Sequence, residues 1–338
     1  MEGANTPEGW LGSDGWKGVG KWIEADDGCR LFVRRWYPQG ISPSKSGDKP
    51  RGILHIIHGM AEHSLRYERL ARRLCEEGIE VWVADQRGHG KTADLGVNGR
   101  GKGGLLGHCA DKDGVSRVTA DIRCLNGIIQ ETYPGTPLFL MGHSWGSFVA
   151  QNYIENFGGL SGCILSGTRG PGGLKIALGA LLMALLALLQ GNRKGAFFSR
   201  LIVDGSVNKP FKPGRTVFDW LSRDEQEVDA FIADPLCGYL CSAGFYRDMI
   251  GILRRIHKPE AMAGISGDLP IYVFCGSADP AGDMGSSPTA LMNAYRSLGI
   301  KDLEFVLYPD ARHETLNETN REEVTENLRS WILRHCGK

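Results

Sequence analysis

The sequence PLFLMGHSWG, residues 137–146, decides the fold. Its first half is an uninterrupted apolar run, typical of a strand buried on both faces of a parallel sheet, and residues 147–156 have a helical pattern. Between the two, Gly142-x-Ser144-x-Gly146 predicts a sharp strand-to-helix turn that exposes the serine hydroxyl and strains its backbone. The helix directs its first N–H groups at this turn, where they favour a developing negative charge. We therefore predict that Ser144 is a nucleophile.

Strands and helices alternate on both sides of this turn. Apolar runs predict further strands at 53–57, 80–84, 162–166, 271–275 and 303–307. Helical periodicity lies between them at 67–77, 115–132, 288–297 and 322–334, and a hairpin is predicted at 20–25 and 30–37. Such alternation indicates parallel βαβ units with right-handed crossovers. The predicted class is α/β, with a mostly parallel twisted sheet covered by helices on both faces.

The alternation stops between residues 169 and 240, a segment too long for a loop in a compact domain. We predict that 169–240 is an inserted, mostly helical cap over the active site, and that 1–168 and 241–338 form the core. The uncharged run 176–189 reaches only about 21 Å as a helix, short of the roughly 30 Å hydrocarbon core of a bilayer. It is therefore interpreted as a buried or half-buried helix that offers a surface for transient contact with a membrane or micelle.

A serine nucleophile needs a base, which follows it in the chain in folds with such a turn. Three histidines lie beyond Ser144. His335 is at the end of the last helix, and His257 ends a helical stretch before a proline, where helix capping explains it. His313 lies in the loop after the strand at 303–307. His313 is therefore the predicted base.

The acid that orients this histidine is expected in the loop after the preceding strand. Gly276-Ser-Ala-Asp279 follows the strand at 271–275 directly, which makes Asp279 the predicted acid. Asp283, four residues further on, is the alternative.

An oxyanion formed at this site would need two backbone donors. The N–H of Trp145, directly after the serine, is the first. The second is predicted to be the N–H of Met60, because Gly59 lets the loop after the strand at 53–57 turn towards the site. His58 precedes the nucleophile, so a role in bracing this loop is favoured over that of a general base.

Composition excludes several other classes. Acidic and basic residues number 39 each, which leaves no basic field for a nucleic acid. The nine cysteines are odd in number and unpatterned, which indicates free thiols in a reducing compartment and no zinc site. The N-terminus lacks the pattern of a signal peptide, which favours a cytoplasmic chain with peripheral membrane contact. Neither a metal nor an organic cofactor is expected.

Two further patterns have simple structural interpretations. The glycine-rich stretches 87–91 and 99–104 lack the spacing of phosphate loops and are interpreted as mobile surface loops. The aromatic residues of 218–224 fit an acyl pocket and core packing equally well.

With these elements placed, the chain resembles the monoacylglycerol lipase and lysophospholipase branch of the α/β-hydrolases, often labelled serine aminopeptidase-like. The resemblance rests on motifs spread over residues 58–313: HGMAEH (58–63), DQRGHG (85–90), GHSWG (142–146), GSAD (276–279) and the loop of His313. It implies the same triad, Ser144, Asp279 and His313, and the same oxyanion donors, Met60 and Trp145. Trp145 departs from the methionine frequent at this position, and the cap sequence is distinct.

The resemblance implies a serine hydrolase that cleaves monoacylglycerols, lysophospholipids or similar acyl esters through an acyl-enzyme. Two alternatives remain open. One is an aminopeptidase or amidase that uses the same triad, which would need an acidic pocket for a substrate amino terminus. The other is a ligand-binding receptor on a hydrolase scaffold, against which an intact triad argues.

Overall fold

The computed structural model describes residues 8–11, 17–38, 49–93, 105–191, 205 and 207–337. Within these residues nine strands form a single sheet, in the order β1-β2-β3-β5-β4-β6-β7-β8-β9. The strands are β1 (Glu8–Leu11), β2 (Lys17–Glu24), β3 (Arg30–Trp36), β4 (Gly52–Ile57), β5 (Ile79–Ala84), β6 (Leu138–His143), β7 (Gly162–Ser166), β8 (Ile271–Gly276) and β9 (Leu303–Tyr308). The first three are antiparallel to their neighbours, and β4 to β9 are all parallel.

Helices cover both faces of this sheet. They are α1 (Glu68–Cys75), α2 (Gly114–Thr132), α3 (Trp145–Asn156), α4 (Gly173–Gln190), α5 (Glu225–Ala233), α6 (Ala243–Ile256), α7 (Pro259–Met262), α8 (Ser286–Ser297) and α9 (Arg321–His335). One core cluster joins the sheet to α2, α3, α6 and α8, and a second joins the opposite face to α1 and α9. Residues of β4 to β8 are buried throughout, which explains their unbroken apolar runs. The predicted parallel sheet with helices on both faces is confirmed.

Helix α4 contains the uncharged run and is only half-buried. Its buried side, which includes Ala180, Met183 and Ala187, packs against α6. The other side exposes leucines at helical spacing, among them Leu181 and Leu188. No helix among the described residues combines the length and apolarity needed to cross a membrane. The division into a core and a 169–240 cap stays a prediction.

The prediction that residues 87–91 form a mobile surface loop is wrong. Arg87 is buried, and its guanidinium pairs with Asp121 at 2.6 Å and with Asp27 at 2.7 Å. His89 is fully buried beside them. This turn after β5 is therefore fixed by ion pairs between residues distant in sequence. The second glycine-rich stretch, 99–104, lies outside the described residues.

Candidate active site

Ser144 lies in the sharp turn between β6 and α3. Its backbone has φ 51° and ψ −120°, a conformation that residues other than glycine rarely adopt. The neighbouring glycines are sterically required: a Cβ on Gly142 would lie 2.3 Å from the Gly146 carbonyl oxygen, and one on Gly146 would lie 2.0 Å from that of Ile57. The turn therefore presses helix α3 against the end of β4 and places Ser144 at the carboxyl edge of the sheet.

His313 and Asp279 are brought together from the loops that follow β9 and β8. The His313 Nδ1 lies 2.9 Å from the Asp279 Oδ2, and both side chains are buried. Burial alone would lower the pKa of His313, but the charge of Asp279 and its hydrogen bond outweigh it and raise this pKa above its ordinary value. Asp279 is itself held by the Ala281 N–H, which donates to its other oxygen at 2.8 Å. The pair has the arrangement of an imidazole oriented by a carboxylate.

The alternative residues lie elsewhere. Asp283 pairs with the guanidinium of Arg169 and does not contact His313. His257 caps the end of α6, with its Nε2 3.2 Å from the Gln151 Oε1. His335 lies on α9, with its Nδ1 2.7 Å from the Trp331 carbonyl oxygen.

Ser144 and His313 line one pocket, together with Met60 of the loop after β4. A Cβ on Gly59 would lie 3.4 Å from the Ser144 Cβ, so this loop passes directly beside the serine. The Met60 and Trp145 N–H groups have no hydrogen-bond partner among the described residues. Both belong to the backbone around the serine, as an oxyanion site requires.

His58 holds the loop after β4 in place through hydrogen bonds. Its Nε2 accepts the Gln86 N–H at 3.0 Å, so its Nδ1 carries the proton and donates to the Gly59 carbonyl oxygen at 2.8 Å. The Gln86 side chain in turn accepts the indole N–H of Trp145 at 3.0 Å. His58 thus contacts the loop and not the serine, which agrees with the bracing role favoured from the sequence.

A buried charge network, which sequence analysis missed, connects this loop to the histidine loop. The Arg66 guanidinium donates to Glu62 at 2.8 Å and to both oxygens of Glu314 at 2.7 and 2.6 Å. Glu62 also accepts the Gly59 N–H and, at 2.9 Å, the Tyr67 hydroxyl. Burial would raise the pKa of Glu62, but the Arg66 charge prevails and lowers it to about 2. The only available signal was the Glu-x-x-x-Arg spacing, which does not reveal that Glu314 completes the network.

The aromatic residues whose role the sequence left open belong to the pocket. Phe218 and Trp220 line it, together with Phe231 of α5, and the centroid of the Trp220 ring lies 4.8 Å from that of His313. Residues between 218 and 239 therefore line this pocket, whereas α4 packs on α6.

Three side chains of metal-binding type lie close together among the described residues, namely His63, Asp234 and Cys237. His63 Nδ1 accepts the Leu65 N–H, so its Nε2 carries the proton and donates to Asp234 at 2.8 Å. A metal would need that nitrogen deprotonated. The existing hydrogen bonds therefore suit a structural pair better than a metal site.

Comparison with known proteins identifies the family of this chain. A family model described as serine aminopeptidase, S33 (Hydrolase_4), matches residues 48–320. A monoacylglycerol lipase of Mycolicibacterium smegmatis is 28% identical over 310 residues, which cover 91% of this chain and 94% of that protein. The human monoglyceride lipase is 28% identical, with 89% and 85% covered.

The solved structures agree. A thermostable carboxyl esterase from Bacillus coagulans, in complex with glycerol, superimposes with a TM-score of 0.83 and is 27% identical, covering 94% of this chain and 99% of its own. The predicted α/β-hydrolase fold is thereby confirmed. The chain belongs to the serine aminopeptidase S33 family of α/β-hydrolases.

Proposed function

We propose that this protein is a serine carboxylic-ester hydrolase in which Ser144, His313 and Asp279 form the catalytic triad. The observation that carries the proposal is the convergence, on one pocket, of a strained serine and a histidine oriented by a buried carboxylate. A serine needs such a base to act as a nucleophile at neutral pH.

The proposed reaction has two acyl-transfer steps. The Ser144 Oγ attacks the ester carbonyl while its proton passes to His313 Nε2, and the N–H groups of Met60 and Trp145 bind the resulting oxyanion. His313 then protonates the departing alcohol as the acyl-enzyme forms. Water attacks this acyl-enzyme while His313 takes its proton, and His313 returns the proton to Ser144 as the fatty acid leaves.

The proposed substrates are monoacylglycerols, lysophospholipids or similar acyl esters. Relatives that align along most of their length are named monoacylglycerol or monoglyceride lipases. The pocket lining also supports an acyl chain, because Phe218, Leu221, Phe231 and Tyr246 present apolar surface near the serine. The favoured substrate is therefore an ester with an apolar acyl chain and a small polar head group.

The amidase alternative gains little from the pocket charges. The two acidic residues that line the pocket, Glu62 and Glu314, are both paired with Arg66. Neither is therefore a free counter-ion for a substrate amino terminus. The receptor alternative leaves the strained serine and the histidine–carboxylate pair without a purpose.

Turnover of p-nitrophenyl esters of increasing acyl length, of monoacylglycerols and of aminoacyl amides tests the proposal. We expect ester hydrolysis that rises beyond acetate and butyrate, with labelling by a fluorophosphonate. Both are expected to disappear in Ser144→Ala, whereas Ser161→Ala, in a loop before β7, serves as the matched serine control. Faster hydrolysis of amides than of esters would favour the amidase, and a folded wild type without turnover or labelling would favour the receptor.

We further propose that the exposed leucines of α4 meet the lipid aggregate that carries the substrate. Leu178, Leu181, Leu185 and Leu188 follow one another at helical spacing, and all are exposed. Replacing Leu181 and Leu188 by glutamine should lower hydrolysis of monoacylglycerol in vesicles several-fold while p-nitrophenyl butyrate hydrolysis is retained. Equal loss on both substrates would contradict a role in lipid contact.

A further inference from the structure

The aromatic ring of Trp220 lies directly against the imidazole of His313. The ring centroids are 4.8 Å apart and the ring planes are inclined by 39°. Trp220 comes from the segment between α4 and α5, about ninety residues before the histidine in the chain, and lines the pocket that holds Ser144. The contact is therefore made by tertiary structure and involves the base of the proposed triad.

Backbone hydrogen bonds fix this contact. The His313 N–H donates to the Trp220 carbonyl oxygen at 3.3 Å, and the next N–H, of Glu314, donates to that of Leu221 at 2.8 Å. The Arg312 guanidinium donates to further carbonyl groups of the same segment. The histidine loop and the tryptophan segment are thus held together over several consecutive residues, so the backbone that carries the two rings is fixed.

The proposed reaction gives His313 a positive charge in each acyl-transfer transition state. The face of an indole ring attracts a cation within about 6 Å of its centroid, and tryptophan does so more strongly than phenylalanine or tyrosine. We propose that Trp220 is a positioning residue that holds the His313 ring and stabilises its imidazolium form. This inference rests on the proposed function, because it assigns Trp220 a role in the same reaction.

Several other groups also set the charge of His313. Those that face it from the neighbouring elements are Asp279, Glu314, Glu62, His143 and, through the two glutamates, Arg66. The carboxylates favour the imidazolium, whereas burial lowers the pKa of His143 to about 4, so that ring carries no charge at neutral pH. All of them remain when Trp220 alone is replaced. The difference between wild type and a Trp220 variant therefore isolates the contribution of the indole ring.

The test compares Trp220→Leu and Trp220→Phe with wild type in the pH profile of kcat/KM for p-nitrophenyl butyrate. Losing the ring should move the acidic limb about half to one unit lower in pH and reduce kcat at its plateau about 3- to 10-fold. The acidic limb and the kcat of Trp220→Phe should lie between those of wild type and Trp220→Leu. The control is Phe218→Leu, which removes another pocket aromatic whose ring packs on Phe231 and not on His313; it should change KM without moving the limb.

A second readout does not depend on turnover. In a Ser144→Ala background, the low-field proton NMR signal of the His313 Nδ1–H bound to Asp279 reports the protonation of the ring. We expect its titration midpoint to fall by the same half to one unit when Trp220→Leu is added. An unchanged midpoint and an unchanged acidic limb in folded Trp220→Leu and Trp220→Phe proteins, checked by thermal melting, would overturn the proposal. Absence of wild-type hydrolysis and labelling would refute the proposed function instead, whatever the midpoint does.

Discussion

His55 makes the stability of the fold sensitive to acid. It lies in the middle of β4, is fully buried, and has its Nδ1 2.7 Å from the Asn126 Oδ1. Since that oxygen can only accept, Nδ1 donates the proton. The Nε2 is buried without a partner among the described residues. Protonating His55 would therefore create a buried N–H without an acceptor and a buried charge without a counter-ion.

The size of the effect follows from the pKa. Burial lowers the pKa of His55 from 6.5 to about 4, and the hydrogen bond to Asn126 offsets this only in part. A histidine whose folded pKa is depressed contributes stability that is present above its unfolded pKa and lost as the pH falls towards the folded one. For a pKa of 6.5 unfolded and about 4 folded, the loss at pH 5 is about 2 kcal/mol. That is a large part of a typical net stability of roughly 5–15 kcal/mol.

His55→Gln tests this reasoning, because glutamine keeps an N–H donor for Asn126 but does not titrate. Urea unfolding followed by circular dichroism would give the free energy of unfolding of both proteins between pH 8 and 5. We expect the variant to be less stable at pH 8, by about 1 kcal/mol, and to gain about 2 kcal/mol relative to wild type at pH 5. Equal m-values would show that the same transition is compared. A difference between the two proteins that stays constant over this pH range would refute the argument.

Three further predictions concern the site. Asp279→Asn should lower kcat about 10⁴-fold in steady-state ester hydrolysis, whereas Asp283→Asn, which removes only the partner of Arg169, should cost less than tenfold. Gly146→Ala should lower the free energy of unfolding, measured by chemical denaturation, by about 3 kcal/mol or more, because the added Cβ would lie 2.0 Å from a carbonyl oxygen. A stability equal to that of wild type would show that the turn can open. Arg66→Met should lower the free energy of unfolding by about 3–5 kcal/mol, because two buried carboxylates lose their partner. This loss of stability should become smaller as the pH falls and the carboxylates are protonated. A loss that does not depend on pH would contradict the charge argument.

Much of the fold was predictable because its signals are local. An apolar run long enough for one buried strand, followed by a helical pattern, describes each βα unit by itself, and the alternation of such units leaves few topologies. The candidate triad was predictable for a related reason. Ser144, Asp279 and His313 each follow a strand, and the carboxyl ends of parallel strands meet at one edge of the sheet.

The misassigned turn at 87–91 shows where this reasoning fails. Glycine and charged residues predict an exposed loop, but Arg87 is buried because Asp27 and Asp121 supply its counter-charges. Those partners come from the hairpin before β3 and from α2, so nothing near Arg87 in the sequence reveals them. Burial of a charge is decided by what meets it in three dimensions.

The sequence by itself thus determined the parallel sheet, the turn at Ser144 and the order of the candidate triad, since each depends on periodicity or steric demands within a few residues. Only the tertiary structure decided that Glu314 joins Glu62 through Arg66, and that Trp220 lies on His313. These contacts join segments about 90 to 250 residues apart in the chain. Their energies depend on distance and burial in space, which hydrophobic periodicity does not encode.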